Sequence, residues 1–148
     1  MDKTQSPATI TLQVKRTFQA PRERVFHAWT DRAELVRWFA PSADYSTVVS
    51  ELDLRVGGRY RVEMRQKGGN VHTVFGTYQE IKRPEKIVFT WRWEGEASPD
   101  DTLVTIEFHD LGNSTEVILT HERLPSTEAR DKHTHGWNGC MDQLAGIL

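Results

Sequence analysis

Apolar and polar residues alternate along most of this chain, and only its last stretch changes period. From residue 9, Ile10, Leu12, Val14 and Phe18 alternate with Thr11, Gln13 and Lys15, which predicts a half-buried strand interrupted on its apolar face by Arg16. It ends at Ala20-Pro21. Pro21 fits the first position of a helix, where its missing N–H is no loss, and Val25, Phe26 and Trp29 follow at helical spacing. Thr30-Asp31 breaks that helix. Asp31 with Glu34 three residues on has the form of a capping box for a second helix carrying Leu35, Trp38 and Phe39, and Pro41 stops it.

Strand periodicity then takes over. Residues 45–56 are rich in β-branched side chains and meet a turn at Gly57-Gly58. Tyr60, Val62 and Met64 alternate with Arg59, Arg61, Glu63 and Arg65; a turn at 66–70 leads to a return strand over 71–81, bent at Gly76. Past a turn at 82–85, Ile87, Phe89, Trp91 and Trp93 share one face of the next strand. A loop over 95–101 precedes a last hairpin, 103–108 with 115–121, around residues 110–113. Turns this short require antiparallel pairing.

Residues 126–148 read as one helix. A 100° wheel gathers Arg130, His133, Trp137, Cys140, Met141, Leu144 and Leu148 onto one arc, with Ile147 at its edge, and puts Asp131, His135, Asn138 and Asp142 opposite. No other helix offers a matching apolar face. A rod of about 33 Å spans a sheet, so the order of strand, two short helices, six strands and long helix predicts an α+β fold with a curved sheet wrapped around the last helix. A curved sheet and a cylinder diverge away from their line of contact. Either large side chains fill the resulting gap, or it remains as a pocket.

Composition narrows this little. The 148 residues fit a single domain, with residues 1–7 as a flexible arm. The formal charge of −2 is spread without blocks, so neither nucleic acid nor a membrane surface is indicated as a partner. No run has signal-peptide or membrane-span character, and a single cysteine, Cys140, on the apolar helical arc suits a buried thiol in a reducing cytoplasm. The chain is expected to be a monomer or homodimer.

The side chains that could carry chemistry are six histidines, the carboxylates and the aromatics. His133-Thr134-His135, with His121 nearby in sequence, fails as a metal cluster: residues two apart on a helix point away from each other, whereas zinc ligands on one helix sit four apart. No metal or cofactor is expected. His133 alone shares the arc of Trp137, either as a partly buried histidine satisfied by a neighbour or as a polar contact in a pocket. Neither a nucleophile motif nor a phosphate loop occurs, so no catalytic residue is assigned; His133 is the candidate if the protein is an enzyme. Glu63 and Glu107 read as solvated carboxylates. Arg16, on an apolar register, needs an ion-pair partner or an acidic ligand group. Tyr60, Met64, Trp91, Trp93, His133 and Trp137, with Trp38 and Phe75, are the candidates to line a ligand pocket, because aromatics join a large apolar face to a single polar atom.

Several runs carry a resemblance: RTFQAPRERVFHAWTDRAELVRWFAP at 16–41, GGRYRVEMR at 57–65, GTYQEIKRPEKIVFTWRW at 76–93, and His-Gly-Trp early in the last helix. Together they resemble the Hsp90-ATPase-activator-homologue-like family of the START/Bet v 1-like superfamily, over almost the whole chain. The resemblance implies a helix-grip fold, seven antiparallel strands around a C-terminal helix with a hydrophobic cavity between them. It implies little about activity, since the superfamily includes lipid carriers, hormone receptors and cyclases. The eukaryotic co-chaperones resemble this chain only in their C-terminal domain. The expected function is therefore binding of a small hydrophobic ligand, aromatic or lipid-like. A cyclase- or hydrolase-like enzyme using His133, and an Hsp90-type chaperone module, stand as the alternatives.

Overall fold

The computed structural model describes residues 10–96 and 101–148. The arm expected at 1–7 and the middle of the loop at 97–100 lie outside them. The elements are β1 (Ile10–Phe18), α1 (Arg22–Thr30), α2 (Arg32–Trp38), β2 (Tyr45–Leu52), β3 (Arg59–Gln66), β4 (Val71–Lys82), β5 (Lys86–Trp93), β6 (Thr102–Asp110), β7 (Thr115–Leu124) and α3 (Thr127–Ile147). All pairings are antiparallel, in the order β1-β7-β6-β5-β4-β3-β2. β1 joins β7 because the chain returns to it after the six-strand meander. The fold is a helix grip, with α3 lying in the curve of the sheet.

The short helices begin and end as their sequence dictates, with two corrections. Pro21 is the N-cap of α1, one residue before the helix; its backbone is extended, and its carbonyl accepts from the N–H groups of Arg24 and Val25. Asp31 ends one helix and starts the next. Its N–H donates to His27 O at 3.0 Å, and its Oδ2 accepts from Glu34 N at 3.1 Å. Because the Asp31 N–H is already taken, the Glu34 carboxylate turns to Arg24 instead, at 3.0 Å, and only half of a capping box forms.

The two helices plug one end of the sheet with aromatics. Trp29 and Trp38 pack edge to face at 4.7 Å, and Phe26 meets Phe108 of β6 at 5.2 Å. On the far side, α3 buries Trp137, Cys140, Met141 and Leu144, which form the middle of the predicted arc. Arg16 of β1 reaches Asp142 of α3 at 2.9 Å, so the charge on the apolar register is paired. That pair is partly solvated and contributes on the order of 0–1 kcal/mol.

α3 comes very close to the segment leaving α2 at Gly139. A Cβ built there would stand 2.0 Å from the carbonyl oxygen of Pro41. Only glycine lets the helix backbone seat against the segment leaving α2. Gly76 has the same role between strands, since a Cβ there would meet Thr90 O at 2.1 Å. Gly139→Ala is therefore expected to lower stability by about 1–3 kcal/mol, although alanine is the better helix former. Urea unfolding of the two proteins checks this; a midpoint that holds or rises would mean the Pro41 segment moves away freely.

Candidate functional site

Toward its N-terminal half, α3 turns from apolar to polar: Trp137 is buried, His133 half-buried, and Lys132 and Glu128 exposed. The helix and the β2–β5 side of the sheet separate there, leaving an open-mouthed cavity of about 370 Å³. Trp91, Trp93 and Met64 line it from the sheet, with Tyr45 and His72 beside them, and His133, Gly136 and Trp137 from the helix. Phe39, Pro41 and Cys140 also border it. Glu96, Glu128 and Lys132 stand among the lining residues nearest solvent. The pocket left open by the sequence pattern is thus present, in the part of the grip where the helix has lost its apolar arc.

Five of the eight candidate side chains, Met64, Trp91, Trp93, His133 and Trp137, come together at this cavity. Three do not. Trp38 is 2% exposed beneath the short helices, and its indole N–H donates to Ala28 O at 2.9 Å, so both its face and its polar atom serve the core. Tyr60 points inward but farther along the sheet, packed with Tyr78 and Phe89 around a void of about 30 Å³. Its hydroxyl donates to Thr90 O at 2.6 Å, and burial holds its ionisation well above the ordinary range. Phe75 is on the opposite face of the sheet. It pairs in register with Arg61 and Arg92, out of phase with buried Val74 and Tyr78.

Glu63 lies on that same outer face, held by Arg61 and Arg65 at 2.8 Å each, and these partners keep its carboxyl below the usual range. Glu107 meets His109 at 3.0 Å. Neither carboxylate reaches the cavity.

At the cavity wall His133 faces the fully buried His121 behind it, with ring centroids 5.0 Å apart. His133 Nδ1 lies 2.7 Å from Ala129 O, and a carbonyl only accepts, so Nδ1 carries the proton. Its Nε2 then accepts the indole N–H of Trp93 at 2.9 Å. His121 has the other tautomer. Trp137 Nε1–H donates to its Nδ1 at 3.1 Å, while Thr102, whose hydroxyl donates to Trp91 O at 3.0 Å, accepts from its Nε2–H at 2.7 Å. All four ring nitrogens are engaged and both rings are neutral. No lone pair remains for a metal here, and among the described residues no group of three metal-ligating side chains occurs.

Sequence reasoning missed His121 as a structural partner. The signal was present in the alternation of Val117, Leu119 and His121 on β7, all fully buried. Tyr45 and His72 were missed too, although His72 shares the parity of Val74 and faces Met64 in the β3–β4 register. Cys140 is buried, and burial pushes its thiol up to about 12, far from the range of a nucleophile.

The histidine pair makes stability depend on acid. Burial first, and the neighbouring His133 second, pull His121 down from its ordinary value of 6.5 to about 3. Between those values the unfolded chain binds a proton that the folded protein refuses. The contribution of neutral His121 to stability is then complete above about pH 6.5 and falls as pH drops toward 3, by up to about 1.4 kcal/mol per pH unit. Urea unfolding at several pH values, with His121→Phe as the comparison, is expected to show a steeper loss in the unsubstituted protein. Equal slopes would remove His121 from this account.

Known proteins place this geometry in a family. The family described as Activator of Hsp90 ATPase homolog 1-like protein matches residues 19–148. No curated protein matches the chain. Among solved structures, a protein from Chromobacterium violaceum is 30% identical, with a TM-score of 0.85 over 93% of this chain and 96% of the other. The AHSA1 protein of Silicibacter pomeroyi is 26% identical, with a TM-score of 0.81 over 94% and 97%. An HSP90 activator from Plasmodium falciparum is 30% identical, with a TM-score of 0.60 over 78% and 74%. The family match over most of the chain, on a fold these structures share, means that the chain belongs to the Activator of Hsp90 ATPase homolog 1-like family.

Proposed function

We propose that the protein binds a small hydrophobic molecule, aromatic or lipid-like, in the cavity between the sheet and α3, and releases it unchanged. One observation carries this reading: about 370 Å³ of space walled by Trp91, Trp93, Trp137 and Met64. Such a lining offers broad apolar faces to a ligand with few polar atoms. The volume suits a molecule of a few fused rings or a short acyl chain. Glu96, Glu128 and Lys132 would meet any polar end of that molecule at the mouth.

The engaged state of the histidines favours binding over catalysis. A general base needs a free lone pair within reach of substrate, and the Nε2 of His133 already accepts the Trp93 N–H. The cyclase- or hydrolase-like alternative is weaker for that reason. A chaperone-interaction role has separate support in the likeness to the Plasmodium falciparum HSP90 activator, which spans 78% of this chain. The reading assumes a reducing cytoplasm, in keeping with one buried thiol.

Denaturing the purified protein and identifying released small molecules by mass spectrometry tests the reading. The expected result is an apolar compound that, added back at a hundredfold excess over its dissociation constant, stabilises the fold by about 2.7 kcal/mol and is recovered intact. Trp93→Ala is expected to weaken its binding about tenfold or more, a loss on the scale of 1.4 kcal/mol. Conversion of the compound by the protein, abolished in His133→Ala, would replace the binding reading with the enzymatic one.

A further inference from the structure

The three glycines of α3 have different surroundings. Gly139 is imposed by the Pro41 carbonyl. Gly146 lies at the end of the helix, with nothing within 4 Å of where a Cβ would stand, and takes no part in the cavity. Gly136 also has nothing within 4 Å of that point, yet it sits in the middle of the helix and among the cavity-lining residues. Glycine is the poorest helix former after proline, and no neighbouring atom demands it here. Its local consequence is a bare stretch of backbone in the cavity wall.

The bare stretch is framed by side chains that also line the cavity. Lys132 and His133 lie one turn before it on the same helix face, and Cys140 one turn after. Across the cavity stand the sheet residues Met64 and Trp93. The cavity-lining residues Ala129, Lys132, His133 and Cys140 flank position 136 on the helical wheel, so a side chain there lies on the cavity-facing arc, with nothing within 4 Å of its Cβ. Gly139, one turn on, seats the helix against the Pro41 segment.

We infer that Gly136 is the specificity-determining position of the cavity: its missing side chain admits ligands whose apolar ring system lies directly on the α3 backbone. This rests on the binding reading above and adds to it the residue that sets the size of what is bound. Bulk at 136 excludes ring-bearing molecules and leaves the core of the grip, at Trp137, Met141 and Leu144, untouched.

The test uses N-phenyl-1-naphthylamine, a neutral ring-bearing fluorescent probe, with the full chain and three variants, Gly136→Ala, Gly136→Leu and Gly146→Ala. Thermal melts are expected to show both alanine variants at least as stable as the unsubstituted protein. Probe affinity is expected to be unchanged in Gly146→Ala, reduced about two- to threefold in Gly136→Ala and reduced about tenfold or more in Gly136→Leu. Unchanged affinity in a folded Gly136→Leu overturns the inference and leaves the binding reading standing. If Gly136→Leu does not fold, Gly136→Ala decides: a loss confined to position 136 supports the inference, and affinity equal to that of Gly146→Ala overturns it. Failure of the unsubstituted protein to bind the probe overturns the binding reading and the inference together.

Discussion

Everything in this protein depends on one helix being held where it could not hold itself. α3 carries glycine at 136, 139 and 146, each unfavourable to a helix by up to about 1 kcal/mol against alanine, so its stability comes from contact rather than propensity. The contact is concentrated at Trp137, Cys140, Met141 and Leu144, and it is close because Gly139 brings the backbone onto the Pro41 carbonyl. That seat fixes both the position and the tilt of the helix. Farther toward the N-terminus the apolar arc gives way to Lys132 and Glu128, and the gap between helix and sheet opens at that change. Core and cavity are therefore two ends of one amphipathic pattern.

Two of the three indoles in the cavity wall have satisfied N–H groups, whereas the buried Nε1 of Trp91 has no hydrogen-bond partner among the described residues. Two indole N–H groups, from Trp93 and Trp137, each find an imidazole nitrogen, and the remaining imidazole protons go to Ala129 O and Thr102 Oγ1. An indole can only donate and a neutral imidazole does both, so the pairing decides each tautomer. Buried polar networks are costly when incomplete and orienting when complete. Here the network joins β5, β6 and β7 to α3, so the residues that close the back of the cavity also set the helix against the sheet.

Much of this was legible in the chain, and what was not has a physical reason. Period-two alternation, β-branched content and turn residues together located all seven strands, and the 100° arc located the buried stripe of α3. Periodicity gives the face of an element but not which of several spaces that face adjoins. Tyr60 was read correctly as inward, yet it packs against Tyr78 and Phe89 rather than at the cavity. Trp38 looked like a wall residue because tryptophan joins an apolar face to a donor; its donor is spent on Ala28 O ten residues back, a contact created by the bend at Asp31. Phe75 was selected by residue type against its own parity. His72 and His121 had the correct parity and were overlooked for being polar.

Membership in the family carries the grip, and a few side chains set the shape and chemistry of its cavity. The similarity to the Chromobacterium violaceum protein, which matches along nearly its whole length, has a TM-score of 0.85. It is lower for the Plasmodium falciparum HSP90 activator, at 0.60 over 78% of this chain. A shared backbone of this kind requires the sheet's curvature and a seated α3, both of which come from buried residues far from the mouth. The shape of the cavity depends instead on positions that border the empty space, among them Met64, Trp93 and Gly136. Of these, Gly136 has no neighbouring atom within 4 Å of where a Cβ would stand, so a side chain there can change the cavity without disturbing the grip.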